Sequence, residues 1–336
     1  MATIQDVVEK AGVSIATVSR VINNSPRVLP ETREKVMAVI KELDYHPNKL
    51  AQQFRSQQTK NIMVLLPRSG DGFYADIIKG IEMVAEATGY HVFMANTHNK
   101  PEVEQYFFEN LVQKQCDGII DFSAQLPKDY MGEIAQQHPV VVGIRYLGGA
   151  NLPNVTIDNM AASREMTEYM LNLGHKNIAY LCGNSGLHIY KSRLEGYFQA
   201  LKSQGIAIQE QLVAYTEPTI QGGYEAALKL LHSGAKFTAM ITGGDTLAVG
   251  AIKALESNRL KVPDDVAVCG FDDIELAALL RPTLTTIRQP REMIGRCCME
   301  KILQRIRGED VGQEEQIVLD YEMVIRQSSG KLIAPM

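Results

Sequence analysis

The first 23 residues carry polar side chains whose types and spacing suit hydrogen bonding to DNA. The segment from Thr3 to Asn23 reads TIQDVVEKAGVSIATVSRVIN, and its second half contains Thr17, Ser19 and Arg20. Hydroxyl and guanidinium groups near the N-terminal end of a helix are the groups that meet phosphates and base edges in a major groove. The chemistry predicted for this segment is therefore recognition and not catalysis.

Two predicted helices separated by a glycine turn position these side chains. Thr3 and Asp6 have the spacing of a capping box, Gly12 suits a left-handed helix end, and Ser14 suits the cap of a second helix over 15–22. This order fits a helix-turn-helix, the alternative being an ordinary helical hairpin. The residues predicted to face inward on the second helix are Val18, Val21 and Ile22. Those left to face outward are Ile15, Ala16, Thr17, Ser19 and Arg20.

The charge distribution also favours a nucleic-acid partner. Up to residue 60 the chain has nine Lys and Arg against six Asp and Glu, a net charge of +3, whereas the whole chain carries −5 and the remainder therefore −8. A basic head on an acidic body is typical of such proteins. A third amphipathic helix, predicted over 30–43, would close a three-helix core.

The composition is that of an ordinary globular protein of two or three domains, with 45% hydrophobic and 22% charged residues in 336. No apolar run approaches the roughly 20 residues of a membrane span, and no signal peptide is recognisable, so we expect a cytoplasmic protein without a membrane partner. The five cysteines lack metal-binding spacing and are expected to be reduced thiols. A redox pair at Cys297 and Cys298 is the weaker alternative, because adjacent helical positions point apart.

From Asn61 onward, short apolar runs alternate with amphipathic helical stretches. NIMVLLP, HVFMANT, DGIIDFS and VVVGI resemble buried parallel strands, NVTID resembles a shorter one, and the rhythm restarts at NIAYLCG. Two such sets predict two doubly wound parallel-sheet lobes with a ligand cleft at the carboxyl ends of the strands. The final stretch, from LTTIRQ to IVLDYEMVIR, would cross back between the lobes.

Motifs of catalysis are missing from the sequence. It has no GxSxG, HExxH, Walker loop or GxGxxG, and the acid pair Asp272–Asp273 has no base or nucleophile at a telling distance. We therefore expect no enzyme activity, no catalytic residue, no metal and no cofactor.

Several segments together resemble the LacI/GalR family of bacterial transcription regulators. They are TIQDVVEKAGVSIATVSRVIN, ETREKVMAVIKELDYHPN, LGHKNIAYLCG, SRLEGYFQAL, VPDDVAVCGFDD and LTTIRQPREMIG, which span nearly the whole chain. The resemblance implies a helix-turn-helix domain over 1–45, a hinge helix or linker over 46–59, and an effector-binding and dimerisation core of periplasmic-binding-protein type over 60–336. We place the first lobe at about 60–158 and 290–317 and the second at about 159–289 and 318–330.

The resemblance also assigns DNA contacts in the head. Ile15 and Ala16 match the two main base-reading positions and Arg20 matches a further one. Ile15 offers only apolar contact, for example to a thymine methyl, whereas Arg20 can donate two hydrogen bonds to guanine. The positions that match phosphate-facing or capping roles are Thr3, Ser14, Thr17, Ser19 and Asn23. For Thr17 and Ser19 the alternative is plain polarity of the helix surface.

The hinge segment that begins at Pro47 supplies further predicted contacts, namely Asn48, Ala51 and Phe54. In the family a leucine at the last of these positions wedges into the minor groove and kinks the DNA. Phenylalanine is a larger wedge, so the preferred base step and the bend are expected to differ. Packing of Phe54 against its dimer mate is the alternative.

For the effector, Arg193 in an Arg-x-x-Gly-Tyr pattern matches the family's clamping arginine, whose planar fork can hold two sugar hydroxyls or a carboxylate. The other implied effector contacts are Phe73, Tyr74, Arg145, Asp158, Asn159, Asp245 and Asp272. The alternatives are helix-start packing for the two aromatic residues and helix capping for the aspartates. The chain departs from the family at Ile144, which replaces an Asp or Asn, and at Pro218, which replaces a ligand-stacking aromatic.

We therefore expect a repressor that binds a pseudo-palindromic operator in double-stranded DNA as a homodimer and responds to a small sugar or nucleoside in the cleft. The stretches around Arg193 and Gln289 most resemble the cytidine-repressor branch of the family. The C-terminal RQSSGKLIAPM has no leucine heptads, which favours a dimer over a tetramer. One alternative is a catabolite-control regulator whose co-repressor is a phosphorylated carrier protein. The other is a transport binding protein, which the predicted helix-turn-helix head argues against.

Overall fold

The computed structural model describes residues 2–46, 58–68, 72–145, 152–183, 188–309 and 316–330. The chain divides into two compact units, Met1–Thr59 and Lys60–Met336. The predicted DNA contacts Asn48, Ala51 and Phe54 lie outside the described residues.

The first unit contains three helices, α1 (Ile4–Ala11), α2 (Ile15–Ile22) and α3 (Pro30–Glu42). The capping box of α1 is present, because the Asp6 N–H donates to Thr3 Oγ1 and the Thr3 N–H donates to the Asp6 carboxylate at 2.7 Å. Gly12 ends α1 with a φ of 63°, and Ser14 Oγ accepts the first N–H bond of α2 from Thr17. The three helices close over one buried core, made of Val7, Ala11, Val18, Val21, Val36 and Val39.

The second unit alternates strands and helices along most of its length. In chain order its elements are β1 (Asn61–Leu66), α4 (Phe73–Thr88), β2 (His91–Asn96), α5 (Pro101–Val112), β3 (Gly118–Asp121), α6 (Lys128–Gln137), β4 (Val140–Gly143), β5 (Asn154–Ile157), α7 (Asn159–Asn172), β6 (Ile178–Gly183), α8 (His188–Ser203), β7 (Val213–Thr216), α9 (Ile220–His232), β8 (Ala239–Thr242), α10 (Asp245–Ser257), β9 (Ala267–Cys269), α11 (Glu275–Leu279), β10 (Thr286–Arg288), α12 (Arg291–Ile306), β11 (Gln316–Leu319) and β12 (Glu322–Val324). Short 3₁₀ helices lie at Glu210–Leu212 and Gln327–Ser329.

The first lobe is built on a parallel sheet of six strands in the order β11-β5-β4-β3-β1-β2. Alternate residues of β1 point to opposite faces, so Val64 packs with α4 and α12 whereas Leu65 packs with α5 and α6. Helices therefore cover both faces, as predicted for a doubly wound sheet.

One strand of this sheet differs from the prediction. The segment HVFMANT was expected to be buried, but β2 is the last strand of the sheet, and Phe93 and Met94 are 51% and 56% exposed. An apolar run is compatible with both a central and an edge strand, and the order of strands, which decides between them, is a tertiary property.

The second lobe has a parallel sheet of four strands in the order β7-β6-β8-β9. The helices α7 and α8 pack on one face and α9 and α10 on the other. A two-stranded antiparallel ribbon joins β10 and β12 beside it, with Ile287 paired to Met323. The two predicted lobes are therefore confirmed.

The chain passes between the lobes at three places within the described residues. It leaves the first sheet after β5 and enters α7 through Asp158, returns from β10 to α12 through Gln289 and Pro290, and leaves again between β11 and β12. These crossovers bring the carboxyl ends of both sheets to the same region, where a ligand cleft is expected.

Helices α4 and α12 approach so closely that their contact requires glycine. A Cβ at Gly295 would lie 2.0 Å from the carbonyl oxygen of Ile77, and one at Gly80 would lie 2.1 Å from that of Glu292. Both obstructing atoms belong to the backbone, so no side-chain rotation relieves the overlap. Glycine at these positions thus sets the distance between the two helices.

Replacing Gly295 with alanine is expected to lower the free energy of unfolding by about 1–3 kcal/mol, because overpacking outweighs the better helix propensity of alanine. Urea denaturation followed by circular dichroism measures the change. The control is Gly72→Ala, since Gly72 has a φ of −59° and no atom within 4 Å of an added Cβ. Equal stability of the two variants would contradict the proposed close contact.

Candidate functional site

The outward face of α2 offers both apolar and cationic groups to a partner. Ile15 is 43% exposed, Ala16 and Arg20 are also exposed, and Val18 on the opposite side is fully buried. The N-terminal end of the helix carries the positive end of the helix dipole, which favours a phosphate. This face therefore exposes groups of the types predicted to contact base edges and phosphates.

Several hydroxyls of the head also act in helix capping. Ser14 Oγ lies 2.9 Å from Thr17 Oγ1, and Asn23 Nδ2 donates to Ser19 Oγ at 3.4 Å. The backbone and hydroxyl of Thr3 hold the pKa of Asp6 below its usual value. These side chains therefore make contacts within the head, and their contacts with DNA stay a prediction.

The net positive charge of residues 1–60 comes from the segment after α3. The three helices and their connections up to residue 46 contain six Lys or Arg and six Asp or Glu, so the net charge of +3 up to residue 60 comes from Lys49, Arg55 and Lys60. Within the helices Arg33 is engaged in structure, because it donates to Asn24 Oδ1 and to the Ser25 carbonyl, both at 2.6 Å. Electrostatic attraction to DNA is therefore expected to depend strongly on the segment after α3.

A cleft lies between the two lobes of the second unit, at the carboxyl ends of the strands. The space between its walls is about 470 Å³, and this figure includes a part that is open to solvent. Four predicted effector residues line it together, namely Phe73, Tyr74, Arg193 and Asp272. The other lining residues are Pro67, Arg68, Asn99, Ile144, Ile189, Tyr190 and Pro218.

Arg193 is the central polar side chain of the cleft. It is 3% exposed, and its guanidinium stacks on the Phe271 ring at 3.6 Å. Its Nε donates to Asn159 Oδ1 at 2.8 Å, one terminal nitrogen donates to the Gly243 carbonyl at 2.6 Å, and the other donates to Asp272 Oδ1 at 3.2 Å. A guanidinium has five N–H groups, so this side chain retains donors for a ligand.

Asp272 is held in place by its backbone and by a neighbouring amide. Its φ of 113° is unfavourable for a residue with a side chain, and its N–H is fixed by the Ile287 carbonyl at 2.8 Å. Gln289, which is 4% exposed, donates to Asp272 Oδ1 at 2.6 Å. Strain of this kind is common where a side chain must be presented to a ligand, and it presents this carboxylate to Arg193.

The remaining predicted effector residues, Arg145, Asp158, Asn159 and Asp245, are not among the residues that line this cleft. Asp245 is buried behind it, where its carboxylate accepts hydrogen bonds from the Thr286 hydroxyl at 2.7 Å and the Ile274 N–H at 2.9 Å. Burial and the nearby charge of Asp272 raise the pKa of Asp245 well above its usual value. Asp158 caps α7 by accepting from the Ala161 N–H at 2.9 Å. Asp158 thus makes the contact that capping predicts, whereas Asp245 makes structural contacts but does not cap α10.

A second opening lies beside the first crossover and borders the main cleft. Its walls include Asp158, Asn159 and Met160, and it shares Ile144 and Ile189 with the main cleft. Ile144 has a φ of 58°, a conformation that β-branched residues adopt with strain and that Asn and Asp tolerate best. The backbone here therefore keeps a geometry suited to the Asp or Asn that the family has at this position.

Arg145 lies under the wall of the first lobe and is 2% exposed. One of its terminal nitrogens donates to the Ala124 carbonyl at 2.9 Å, while its Nε and other terminal nitrogen have no hydrogen-bond partner among the described residues. Tyr74 and Tyr190, which line the cleft, are close enough to affect its pKa, although burial is the larger influence and lowers it. Arg145 thus places a positive charge behind the cleft.

Three polar residues that line the cleft, Arg68, Asn99 and Tyr190, were not predicted as effector contacts, and neither was Gln289, which donates to Asp272. Each follows the end of a strand or begins a helix, and that position is the signal that could have identified them. The described residues include no group of three His, Cys, Asp or Glu side chains arranged to hold a metal ion. None of the described helices is both long and apolar enough to cross a membrane.

Comparison with known proteins assigns both units. Residues 3–48 match the family model "Bacterial regulatory proteins, lacI family", and residues 59–324 match "Periplasmic binding proteins and sugar binding domain of LacI family". Catabolite control protein A of Priestia megaterium is 33% identical over 97% of this chain and 99% of its own. The HTH-type transcriptional repressor CytR of Escherichia coli is 34% identical over 98% and 97%, so the comparison does not single out the cytidine-repressor branch.

The fold comparison agrees with the sequence comparison. The crystal structure of the lac repressor dimer bound to operator and an anti-inducer has a TM-score of 0.87 and 28% identity, and it covers 98% of this chain and 99% of that one. These relatives are transcription regulators and not enzymes. This chain belongs to the LacI family of bacterial transcription regulators, with a helix-turn-helix DNA-binding head and a periplasmic-binding-protein-like core.

Proposed function

We propose that this protein is a repressor that binds a pseudo-palindromic operator as a homodimer and whose DNA affinity is set by a small sugar or nucleoside in the interlobe cleft. The observation that carries the proposal is the position of Arg193. It lines the cleft and also donates to Asn159, the first residue after the crossover from the first lobe. A ligand that accepts hydrogen bonds from Arg193 therefore changes the interactions that hold the crossover.

In this proposal the head reads the operator. Ile15, Ala16 and Arg20 contact base edges in the major groove. The polar residues predicted for phosphate-facing or capping roles position α2 on the phosphates. The hinge residues Asn48, Ala51 and Phe54 contact the minor groove. The lac repressor structure, a dimer bound to operator, supports the same arrangement for this chain.

Replacing Arg20 with alanine is expected to weaken binding to the preferred DNA site by about 5- to 150-fold, the loss of one bidentate base contact of about 1–3 kcal/mol. The preferred site is first selected from a random DNA pool with the intact protein, and affinities are then measured by fluorescence anisotropy. Binding to unrelated DNA should change much less, because it depends mainly on phosphate contacts.

Salt dependence tests DNA binding as a whole. The logarithm of the affinity should fall linearly with the logarithm of the salt concentration, with a slope of about −0.9 for each phosphate neutralised.

Arg164→Ala is the control for Arg20→Ala, because Arg164 is half exposed on α7 and pairs locally with Glu168. A flat salt response, or no recovery of a preferred sequence, would contradict the proposal.

A second function is favoured by the likeness to catabolite control protein A. In that case a phosphorylated carrier protein, bound to the first lobe of each subunit, acts as the co-repressor. Surface plasmon resonance with phosphorylated and unphosphorylated carrier protein distinguishes the two. Binding that requires phosphorylation would establish the second function.

A further inference from the structure

The charges that line the cleft are not balanced. The lining includes Arg68, Arg193 and Asp272, and the single carboxylate is already paired with Arg193 and hydrogen-bonded to Gln289. Arg68 takes part in no ion pair within the described part of the chain. Arg68 therefore gives the wall of the first lobe a positive charge with which no described carboxylate forms an ion pair.

The contact that Arg68 does make leaves most of its donors available. One terminal nitrogen donates to the carbonyl oxygen of Pro218, on the opposite lobe, at 3.3 Å. This distance is long for a hydrogen bond, and a carbonyl acceptor carries no net charge. An acidic ligand group within reach would form shorter, charge-assisted hydrogen bonds with the same fork.

A second arginine lies beneath this wall, next to buried carboxyl groups. Arg145 lies buried beneath the first lobe's side of the cleft, and two of its nitrogens have no hydrogen-bond partner among the described residues. Its charge acts on the cleft-lining residues Tyr74 and Tyr190 and also on the buried carboxyl groups of Asp121 and Glu104. The carboxyl groups of Asp121 and Glu104 offset this charge within the lobe, so the attraction for an anion rests on Arg68.

We propose that the ligand of this cleft is an anion, whose phosphate or carboxylate group is bound by Arg68 while its hydroxyl groups are bound by Arg193 and Asp272. This inference rests on the proposed function for the existence of a cleft ligand and adds its chemical class. Arginine suits this role because its planar fork pairs with either acidic group through two parallel hydrogen bonds. The class includes sugar phosphates, sugar acids and nucleoside monophosphates.

Isothermal titration calorimetry on the full-length protein at constant ionic strength tests the proposal with matched probes. The pairs are glucose with glucose 6-phosphate, glucose with glucuronate, and cytidine with cytidine 5′-monophosphate; inorganic phosphate is added as a minimal probe. We expect at least one anionic member to bind at least ten-fold more tightly than its neutral partner. The phosphate and carboxylate arms show which acidic group the site prefers.

Variants assign the preference to Arg68. Arg68→Ala should remove the preference for the anion and leave the weaker neutral affinity, whereas Arg68→Lys should retain part of it as a point charge. Arg307→Ala is the control, because Arg307 is 57% exposed and pairs locally with Glu309. Thermal denaturation verifies that each variant is folded.

Three results would overturn the inference: equal affinity for both members of every pair, no binding of any anionic probe at millimolar concentration, or an anion preference that survives in Arg68→Ala. Tight binding of a neutral sugar or nucleoside that requires Arg193 would overturn it while leaving the proposed function intact. Failure of the proposed function is recognised separately, by the absence of sequence-specific DNA binding.

Discussion

Replacing Arg193 with alanine is expected to abolish the effect of ligand on operator affinity while leaving ligand-free DNA binding close to that of the unmodified protein. The wild-type effect should be about 5- to 150-fold, the range of a coupling free energy of about 1–3 kcal/mol. Arg193 contacts the ligand space, the crossover residue Asn159 and the carboxylate of Asp272. Alanine removes all three interactions, so the ligand loses both its clamp and its connection to the crossover.

The measurement is operator affinity with and without a ligand identified by calorimetry, for the wild type and three variants. Arg193→Lys retains the charge, but it cannot make three directed contacts and should retain only part of the response. Arg164→Ala is the control, since its surface pair with Glu168 contributes at most about 1 kcal/mol. Loss of ligand-free DNA binding in Arg193→Ala would contradict a role confined to the response.

The same substitution should also lower the stability of the core. The Arg193 guanidinium is buried against Phe271 and partly neutralises Asp272, so alanine leaves a cavity and a carboxylate that has lost its cationic partner. Truncating one partner of a buried ion pair costs roughly 3–5 kcal/mol, and the partial exposure of Asp272 places the expected loss below that range. Affinity measurements must therefore be made well below the melting temperature of the variant.

Local signals in the sequence predicted the head well. Caps and turn residues act within four positions of one another. Thr3 with Asp6 therefore determines where α1 begins, Gly12 where it ends, and Ser14 with Thr17 where α2 begins. The inward valines follow from helical periodicity alone. The two lobes were predictable for a similar reason, because alternation of strands and helices is visible along the chain.

The cleft was only partly predictable, because its residues come together from distant parts of the chain. Arg68 and Pro218 are separated by 150 positions, and no local pattern connects them. Asp245 and Asp272 both follow strand ends, yet only Asp272 reaches the cleft, because the Asp245 carboxylate is turned inward to Thr286. Which side chain faces a ligand depends on backbone angles such as the φ of 113° at Asp272.

A buried charged cluster in the first lobe was not predicted from the sequence either. Glu104 belongs to a helix predicted to be amphipathic, but it is fully buried, as is Asp121 at the end of β3. Glu104 accepts from the backbone N–H groups of Gln125 and Leu126, and Asp121 accepts from those that follow β3. With the nearby Arg145 as its cation, the cluster is neutral when the two carboxyl groups share one proton. Burial and the adjacent Asp121 carboxylate raise the pKa of Glu104 to about 8.

This cluster should make the core less stable as pH rises. An acid whose pKa is about 8 in the folded state and near 4.5 in the unfolded state binds more protons when the protein is folded. Its contribution to the free energy of unfolding is fully present below pH 4.5 and is lost as the pH rises to about 8. Glu104→Gln retains an acceptor and supplies a permanent donor toward Asp121. We expect this variant to be more stable than the wild type at pH 8, by up to a few kcal/mol, and to be similar at pH 5.

Urea denaturation at pH 5, 6.5 and 8 measures this difference, with Glu133→Gln as the control because Glu133 is an exposed carboxylate on α6. Only the buried substitution should flatten the pH dependence, since only it removes a group that must lose its proton inside the lobe. An unchanged slope in Glu104→Gln would mean that Glu104 is ionised at neutral pH. The cluster would then carry a net negative charge beneath the cleft, which would also weaken the case that this wall favours an anion.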